Sequence, residues 1–150
     1  MTLENAFTFF ESLEAKASRK SELKVYQEFI QILTSLEKKD LSENDIQSIE
    51  AELDSLHLKS NPENRKKYFN KTLNDFKKYL KETFSLTTKG YYTAFYGSLG
   101  LVFGLLFGVA ILSNLERSLG ISLGLIAGMV VGSIMGRNKD AQAEAAGNIL

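Results

Sequence analysis

The chain has 150 residues, its eighteen basic and eighteen acidic side chains cancel, and it contains no cysteine. The absence of cysteine excludes disulfides and thiolate metal sites, and the single histidine, His57, leaves no histidine-based metal cluster. A net charge of zero and the lack of a recognised motif argue against nucleic-acid binding. The N-terminus carries acidic residues and no long apolar core, so it does not read as a cleavable signal peptide.

Four segments before residue 90 have apolar residues at helical three-and-four spacing. Ser42 reads as an N-cap with Asp45 as a weaker capping-box partner, and Asn61, Pro62 and Glu63 form a helix start signal. The sequence predicts an all-α first half, a bundle of about four short helices. The predicted helices cover about 3–17, 21–38 and 42–58 and a stretch after 61. Their apolar faces are predicted to be Phe7, Phe10, Leu13 and Ala17; Leu23, Tyr26, Phe29, Ile30, Leu33 and Leu36; Ile46, Ile49, Leu53 and Leu56; and Phe69, Leu73, Phe76, Leu80 and Phe84.

Charge is unevenly distributed over these helices. Residues 1–58 carry twelve acids and six bases, a net charge of −6, whereas residues 59–90 carry nine bases and three acids, a net charge of +6. Anionic lipid headgroups attract such a basic segment, at about 1 kcal/mol per residue close to the surface. The simpler interpretation, which we favour, is that these bases only set the orientation of a following membrane span.

Two uncharged stretches follow. Residues 91–112 would extend about 33 Å as a helix, enough to cross a bilayer, and residues 119–136 form a second, shorter stretch. The short connection at 113–118 makes the two spans antiparallel neighbours, and it offers only Arg117, offset by Glu116. The flanking bases therefore predict that both termini are cytoplasmic. The residues predicted to lie at the membrane surface are Lys77, Lys78, Lys81, Lys89, Tyr91, Tyr92, Tyr96, Arg137 and Lys139.

Glycine recurs at every fourth position of the second span, a spacing that lets helix backbones approach closely in lipid. Two arrangements fit: the glycines of the two spans face each other in one hairpin, or the second span also touches a neighbouring subunit. The length of the stripe favours the second arrangement and hence a homo-oligomer. The glycine stripes, predicted to mediate helix packing or oligomerisation, are Gly97, Gly100, Gly104 and Gly108 in the first span and Gly120, Gly124, Gly128, Gly132 and Gly136 in the second.

These glycines, and a tail that reads GRNKDAQAEAAGNIL, resemble the bacterial glycine-zipper membrane proteins with two transmembrane helices. The resemblance covers about residues 91–150 and implies an architecture rather than an activity, although some glycine-zipper helices line oligomeric channels. It implies an antiparallel transmembrane hairpin in the bacterial inner membrane. The predicted organisation is a cytoplasmic helical domain (1–89), a hairpin (90–136) and a cytoplasmic tail (137–150).

No nucleophile–base pair, phosphate loop or intramembrane carboxylate pair is evident in the sequence, so we expect neither an enzyme nor a cofactor. His57 is expected to be an ordinary helix-end residue. Two function classes remain. The first is a self-associating membrane module whose cytoplasmic helices bind a protein partner or sense a signal. The alternative is an oligomeric channel or membrane-permeabilising pore, narrow and lined by the few span residues with hydroxyls.

Overall fold

A computed structural model of the protein describes residues 1–60, 64–110 and 117–150. They form two compact units, one of Met1–Leu86 with Leu150 and one of Thr87–Ile149. The predicted all-helical class is confirmed, and the one β-bridge among the described residues pairs Thr87 with Ile149. The helices are α1 (Leu3–Lys16), α2 (Lys20–Glu37), α3 (Glu43–Ser55), α4 (Arg65–Phe84), α5 (Tyr91–Ala110) and α6 (Arg117–Ala145).

The first unit is a four-helix bundle with an aromatic centre. The rings of Phe10 in α1 and Phe29 in α2 stack with centroids 4.1 Å apart. Phe69 of α4 meets Phe10 and Tyr26 edge-on, at 5.8 and 5.4 Å. Such pairs add about 0.5–1.5 kcal/mol each beyond the burial of their area, so this cluster joins three of the four helices.

The buried face of α1 is displaced from the predicted one. Leu3, Ala6 and Phe10 are buried, whereas Phe7 and Leu13 are only partly buried at the edge of the core. The prediction missed this stripe because alanine is a weak marker of a buried face. In α2, the core also includes Val25 and Ile32, which the prediction left out.

The helix caps explain where the bundle helices begin. The predicted capping box of α3 is confirmed: the Ser42 hydroxyl accepts from the Asp45 N–H, and the Asp45 carboxylate accepts from the Ser42 N–H, both at 3.2 Å. The predicted start signal at Asn61–Glu63 lies outside the described residues. The described part of α4 begins at Arg65, where the Asn64 side chain accepts a hydrogen bond from the Lys67 N–H at 3.1 Å.

Side chains of α4 hold it to its neighbours. The Tyr68 hydroxyl donates to the carbonyls of Leu56 and His57, at 2.9 Å each, where α3 ends. His57 has a left-handed backbone (φ 48°) at this turn, so its place in the fold is that of a helix-end residue. On the other side, the Lys77 ammonium forms an ion pair with Glu28 of α2.

The second unit is an antiparallel hairpin of α5 and α6. Most of the segment predicted as a tail, residues 137–150, is helical, because α6 continues without a break to Ala145. The chain turns after Ala145 at Gly147, whose positive φ of 72° lets the Asn148 N–H reach back to the Ala143 carbonyl at 2.8 Å. The predicted end of the first span, at residue 112, lies outside the described residues.

Candidate functional site: a glycine-packed hairpin

The helices α5 and α6 touch along their glycines, backbone against backbone. A Cβ atom built on Gly100, Gly104, Gly124 or Gly128 would come closer than 3.0 Å to backbone atoms of the opposite helix. Backbone atoms cannot rotate aside as the end of a side chain can. Any side chain at these four positions would therefore force the helices apart.

The contacts define a register in which Gly100 faces Gly128, Gly104 faces Gly124, and Gly108 faces Gly120. Since the aligned stripe of α5 has three glycines and that of α6 has five, two glycines of α6 meet other residues. Gly132 lies against the backbone of Tyr96, and Gly136 lies against that of Tyr92 and Thr93. All five stripe glycines of α6 thus contact α5 within one chain.

Gly97 belongs to a different environment from the other predicted packing glycines. A Cβ atom there would meet only the Ser133 hydroxyl oxygen within 4 Å, at 3.6 Å, which is ordinary van der Waals contact. It lies three residues before Gly100, out of step with the four-residue spacing. Gly97 is therefore beside the close approach and not part of it.

The outer surface of the hairpin is apolar. Both helices are long and apolar enough to cross a membrane by length and composition, and only 17% and 22% of their most apolar windows are buried. Among the described residues, every large hydrophobic side chain that is exposed lies on these two helices, between Phe95 and Met135. A core helix of a soluble domain would be mostly buried, and these are not.

One flank of the hairpin forms an apolar groove of about 720 Å³, here called the lateral groove. Its floor is made by stripe glycines, because residues without side chains leave a furrow where the two helices meet. Its walls include Leu99, Phe103 and Phe107 from α5 and Leu123, Val131 and Met135 from α6.

The end of the hairpin that holds the start of α5 is aromatic and charged. Tyr91 contacts Tyr92 edge-on at 5.2 Å and stacks with Phe95 at 6.2 Å, while Phe95 meets Tyr96 edge-on at 5.6 Å. The three predicted interfacial tyrosines thus form one cluster around Phe95. Lys89 and Arg137, two of the predicted surface bases, line a small pocket of about 220 Å³ at this end.

Asp140 of α6 caps the first turn of α5. Its Oδ1 accepts from the Tyr92 N–H at 3.0 Å, and its Oδ2 accepts from the Thr93 N–H at 3.0 Å and from the Thr93 hydroxyl at 2.6 Å. These N–H groups have no acceptor within α5, since the first turn of a helix leaves its donors free. The carboxylate also meets the positive end of the helix dipole.

Sequence reasoning did not identify Asp140 as a site residue, although a signal was present. Asp140 occupies the next four-residue step after Gly136, so it continues the glycine stripe on the same face of α6. A polar residue at that position, level with the start of the partner helix, is placed to cap it.

The remaining predicted surface bases have varied surroundings. Lys77 is engaged by Glu28 inside the bundle, so it does not act as a free surface charge. Lys78 lies 3.9 Å from Glu82, one turn along α4, and both side chains are well exposed. Lys81 is partly buried, and Lys139 is exposed and donates to Gln142 at 3.3 Å.

No protein-family model matches this chain, and neither a curated protein nor a solved structure shows significant similarity to it.

Proposed function

We propose that this protein is a non-enzymatic integral membrane protein of the bacterial inner membrane, in which the α5–α6 hairpin is the anchor and the four-helix bundle is a cytoplasmic interaction module. The observation that supports this most strongly is the distribution of exposed apolar side chains. In the described residues, all the large apolar side chains that are exposed lie on the hairpin. Soluble proteins rarely expose contiguous apolar patches larger than a few hundred Å², whereas lipid solvates such a surface without cost.

The dimensions of the hairpin support the same proposal. The twenty residues of α5 correspond to about 30 Å of helix, and the apolar part of α6 up to Gly136 to about 27 Å. The hydrocarbon core of a bilayer is about 30 Å thick. Helices also satisfy their own backbone hydrogen bonds, as lipid requires.

The proposed topology places both chain termini on the cytoplasmic side. It is supported by the charges at the end of the hairpin where α5 begins and α6 leaves the apolar region, with Lys89, Arg137 and Lys139. Basic residues next to a span favour the cytoplasm. The tyrosine cluster at the same end suits the headgroup region, where aromatic rings with a polar tip are enriched.

Self-association is part of the proposal, and we place the contact between copies on the flanks of the hairpin. The stripe glycines are already packed within one chain. The lateral groove, by contrast, is open and apolar and extends over about four turns of each helix. A neighbouring hairpin that inserts a ridge of side chains there would gain the packing contacts that drive helix association in lipid.

We do not extend the proposal to a channel. Two of the hydroxyls that a narrow pore would need for its lining donate within their own helices. Ser98 donates to the Ala94 carbonyl at 2.8 Å, and Ser122 donates to the Ser118 carbonyl at 2.9 Å.

The proposal is tested by alkaline extraction of membranes from cells that express the full chain. The wild-type protein should stay in the lipid pellet. Leu106→Lys combined with Val130→Lys should release most of it, because each lysine near the bilayer centre costs about 2.5–3.5 kcal/mol. The matched control, Gln31→Lys on the exposed face of α2, should stay in the pellet. Release of the wild-type protein by alkali would refute the membrane anchor.

Topology can be tested separately because the chain has no cysteine. Single cysteines at Ser18 and Gln142 should react with an impermeant maleimide only from the cytoplasmic side, and one at Ser118, which is exposed at the start of α6, only from the opposite side. Labelling of all three from one side would contradict the two-span topology.

A further inference from the structure

The glycine stripes fix the distance between α5 and α6 but not their alignment. The three glycines of α5 can lie opposite glycines of α6 in three ways, because the repeat is four residues on both helices. In the observed register Gly100 faces Gly128. A slip of one repeat would place it opposite Gly132, and a slip of two would place it opposite Gly136. In each case all three α5 glycines keep glycine partners.

The chain connection does not select among these registers. One repeat shifts the helices by about 6 Å along their axes. Residues 110 and 117 are joined by seven peptide steps, which can span about 24 Å when extended. The connection is therefore long enough for a slip of one repeat, and another feature must choose the register.

We propose that Asp140 selects the register of the hairpin. Its carboxylate reaches three donors at the start of α5, the N–H groups of Tyr92 and Thr93 and the Thr93 hydroxyl. A slip of one repeat in the direction that keeps glycine facing glycine would carry Asp140 one turn further along α5. The N–H groups there are already bonded within the helix, so the carboxylate would find no donor and the first turn of α5 would lose its cap.

The selection acts where the glycines cannot. A slip keeps the three glycine pairs but brings residue 140 to the place of Gly136, where a Cβ atom would lie against the Thr93 backbone. Asp140 therefore holds the observed alignment in two ways, by charge-assisted hydrogen bonds that exist in this alignment only and by the bulk of its side chain. Asp140 is thus a positioning residue, and the shape of the lateral groove depends on it, since a slip would bring different side chains together on the flanks. This inference concerns the hairpin alone and stands separately from the membrane function proposed above.

Disulfide trapping reads the register directly, because the chain has no cysteine of its own. Gly97→Cys with Ser133→Cys reports the observed register, since a Cβ atom at 97 lies 3.6 Å from the Ser133 hydroxyl oxygen. Leu101→Cys with Ser133→Cys reports a slip of one repeat. Each pair is placed in the full chain in lipid nanodiscs, in the wild-type background and with Asp140→Gly, Asp140→Asn or Glu144→Gly.

In the wild-type background, the 97–133 pair should cross-link under mild oxidation and the 101–133 pair should stay at background. Asp140→Gly should raise the ratio of the 101–133 to the 97–133 product by about tenfold or more, because it removes both the charge-assisted hydrogen bonds and the Cβ atom that would meet the Thr93 backbone. Asp140→Asn should have a smaller effect because it keeps one acceptor.

Glu144→Gly, one turn further along α6, should keep the wild-type ratio. An unchanged ratio in Asp140→Gly would overturn the proposal. So would loss of the 97–133 product without a gain of the 101–133 product, since that result means separation of the helices and not a slip. If the wild-type protein left the membrane on alkaline extraction while the cross-link ratios behaved as expected, only the membrane proposal would fail.

Discussion

Replacing Gly128 by alanine should destabilise the α5–α6 hairpin by about 1–2 kcal/mol, the balance of overpacking against helix propensity. An added Cβ would lie 2.7 Å from the α-carbon of Gly104 and closer still to the Gly100 carbonyl oxygen. Ordinary van der Waals distances begin at 3.4 Å, so relieving the clash with Gly104 alone requires the helices to separate by roughly 0.7 Å. A gap of about 0.5–1 Å forfeits a quarter to a half of each dispersion interaction along the seam.

The expected loss of hairpin stability in Gly128→Ala is the difference between two opposing effects. Forcing a methyl group into a packed contact costs about 1–3 kcal/mol. Alanine, on the other hand, favours the helix over glycine by about 0.8–1.0 kcal/mol. At Gly97 only the second effect operates, because the Ser133 hydroxyl is at an ordinary distance. Gly97→Ala should therefore be neutral or stabilising, and it is the matched control for Gly128→Ala.

Gly108→Ala should destabilise the hairpin by an intermediate amount. A Cβ atom there would lie 2.6 Å from the Gly120 carbonyl oxygen, and its next contact, at 3.1 Å, is looser than those at Gly128. The assay is an SDS titration of the protein in mixed micelles, with hairpin opening followed by energy transfer between two engineered labelled cysteines. The expected order of midpoints is Gly97→Ala highest, then Gly108→Ala, then Gly128→Ala. Equal midpoints for Gly97→Ala and Gly128→Ala would refute the backbone-contact argument.

Three further predictions concern the bundle. Phe29→Ala should destabilise the bundle by about 3–5 kcal/mol because the ring is fully buried, while Gln31→Ala on the exposed face should not. Thermal unfolding of the full chain, followed by circular dichroism, compares the two variants. Equal melting temperatures would contradict the aromatic core. Ser42→Ala should lower the free energy of unfolding in urea by about 1 kcal/mol, because the capping box is lost. Ser48→Ala, inside the same helix, should lower it clearly less. Equal losses of stability would count against the cap. Burial raises the pKa of Tyr26, so the contribution of Tyr26 to the free energy of unfolding should be constant below pH 10 and fall above it, where the unfolded chain ionises first. Tyr26→Phe should lose that part of the decline, and a pH profile identical to that of the wild type would contradict the assignment.

The existence and the type of the helices could be predicted from the sequence because apolar periodicity and caps are local signals. The Ser42 capping box and the buried face of α4 are examples, and both are found in the structure. The buried face of α1 could not be predicted in the same way. Whether Ala6 or Phe7 points into a core depends on the helices packed against it.

For the hairpin, the sequence supplied the glycine positions but not their partners. A repeat of four residues fits contact within one chain and contact between chains equally well. The two cases differ only in which backbones are close in three dimensions, as those of Gly100 and Gly128 are within this chain. Asp140 was missed for a related reason: its donors are 47 and 48 residues away in sequence, and nothing local marks them as its partners.

The apolar and the polar parts of the hairpin have different structural roles. In lipid there is no hydrophobic force to drive the two helices together, so close backbone contact must supply the attraction, and glycine permits it. The same uniformity makes neighbouring registers alike along the glycine pairs, since one glycine pair replaces another. The alignment must then be fixed by hydrogen-bonding groups, which depend on direction. Such polar groups cost the least free energy where the helices leave the apolar region. Asp140 and the first turn of α5 occupy that position, so a single polar contact can fix the alignment of an interface that is otherwise built without side chains.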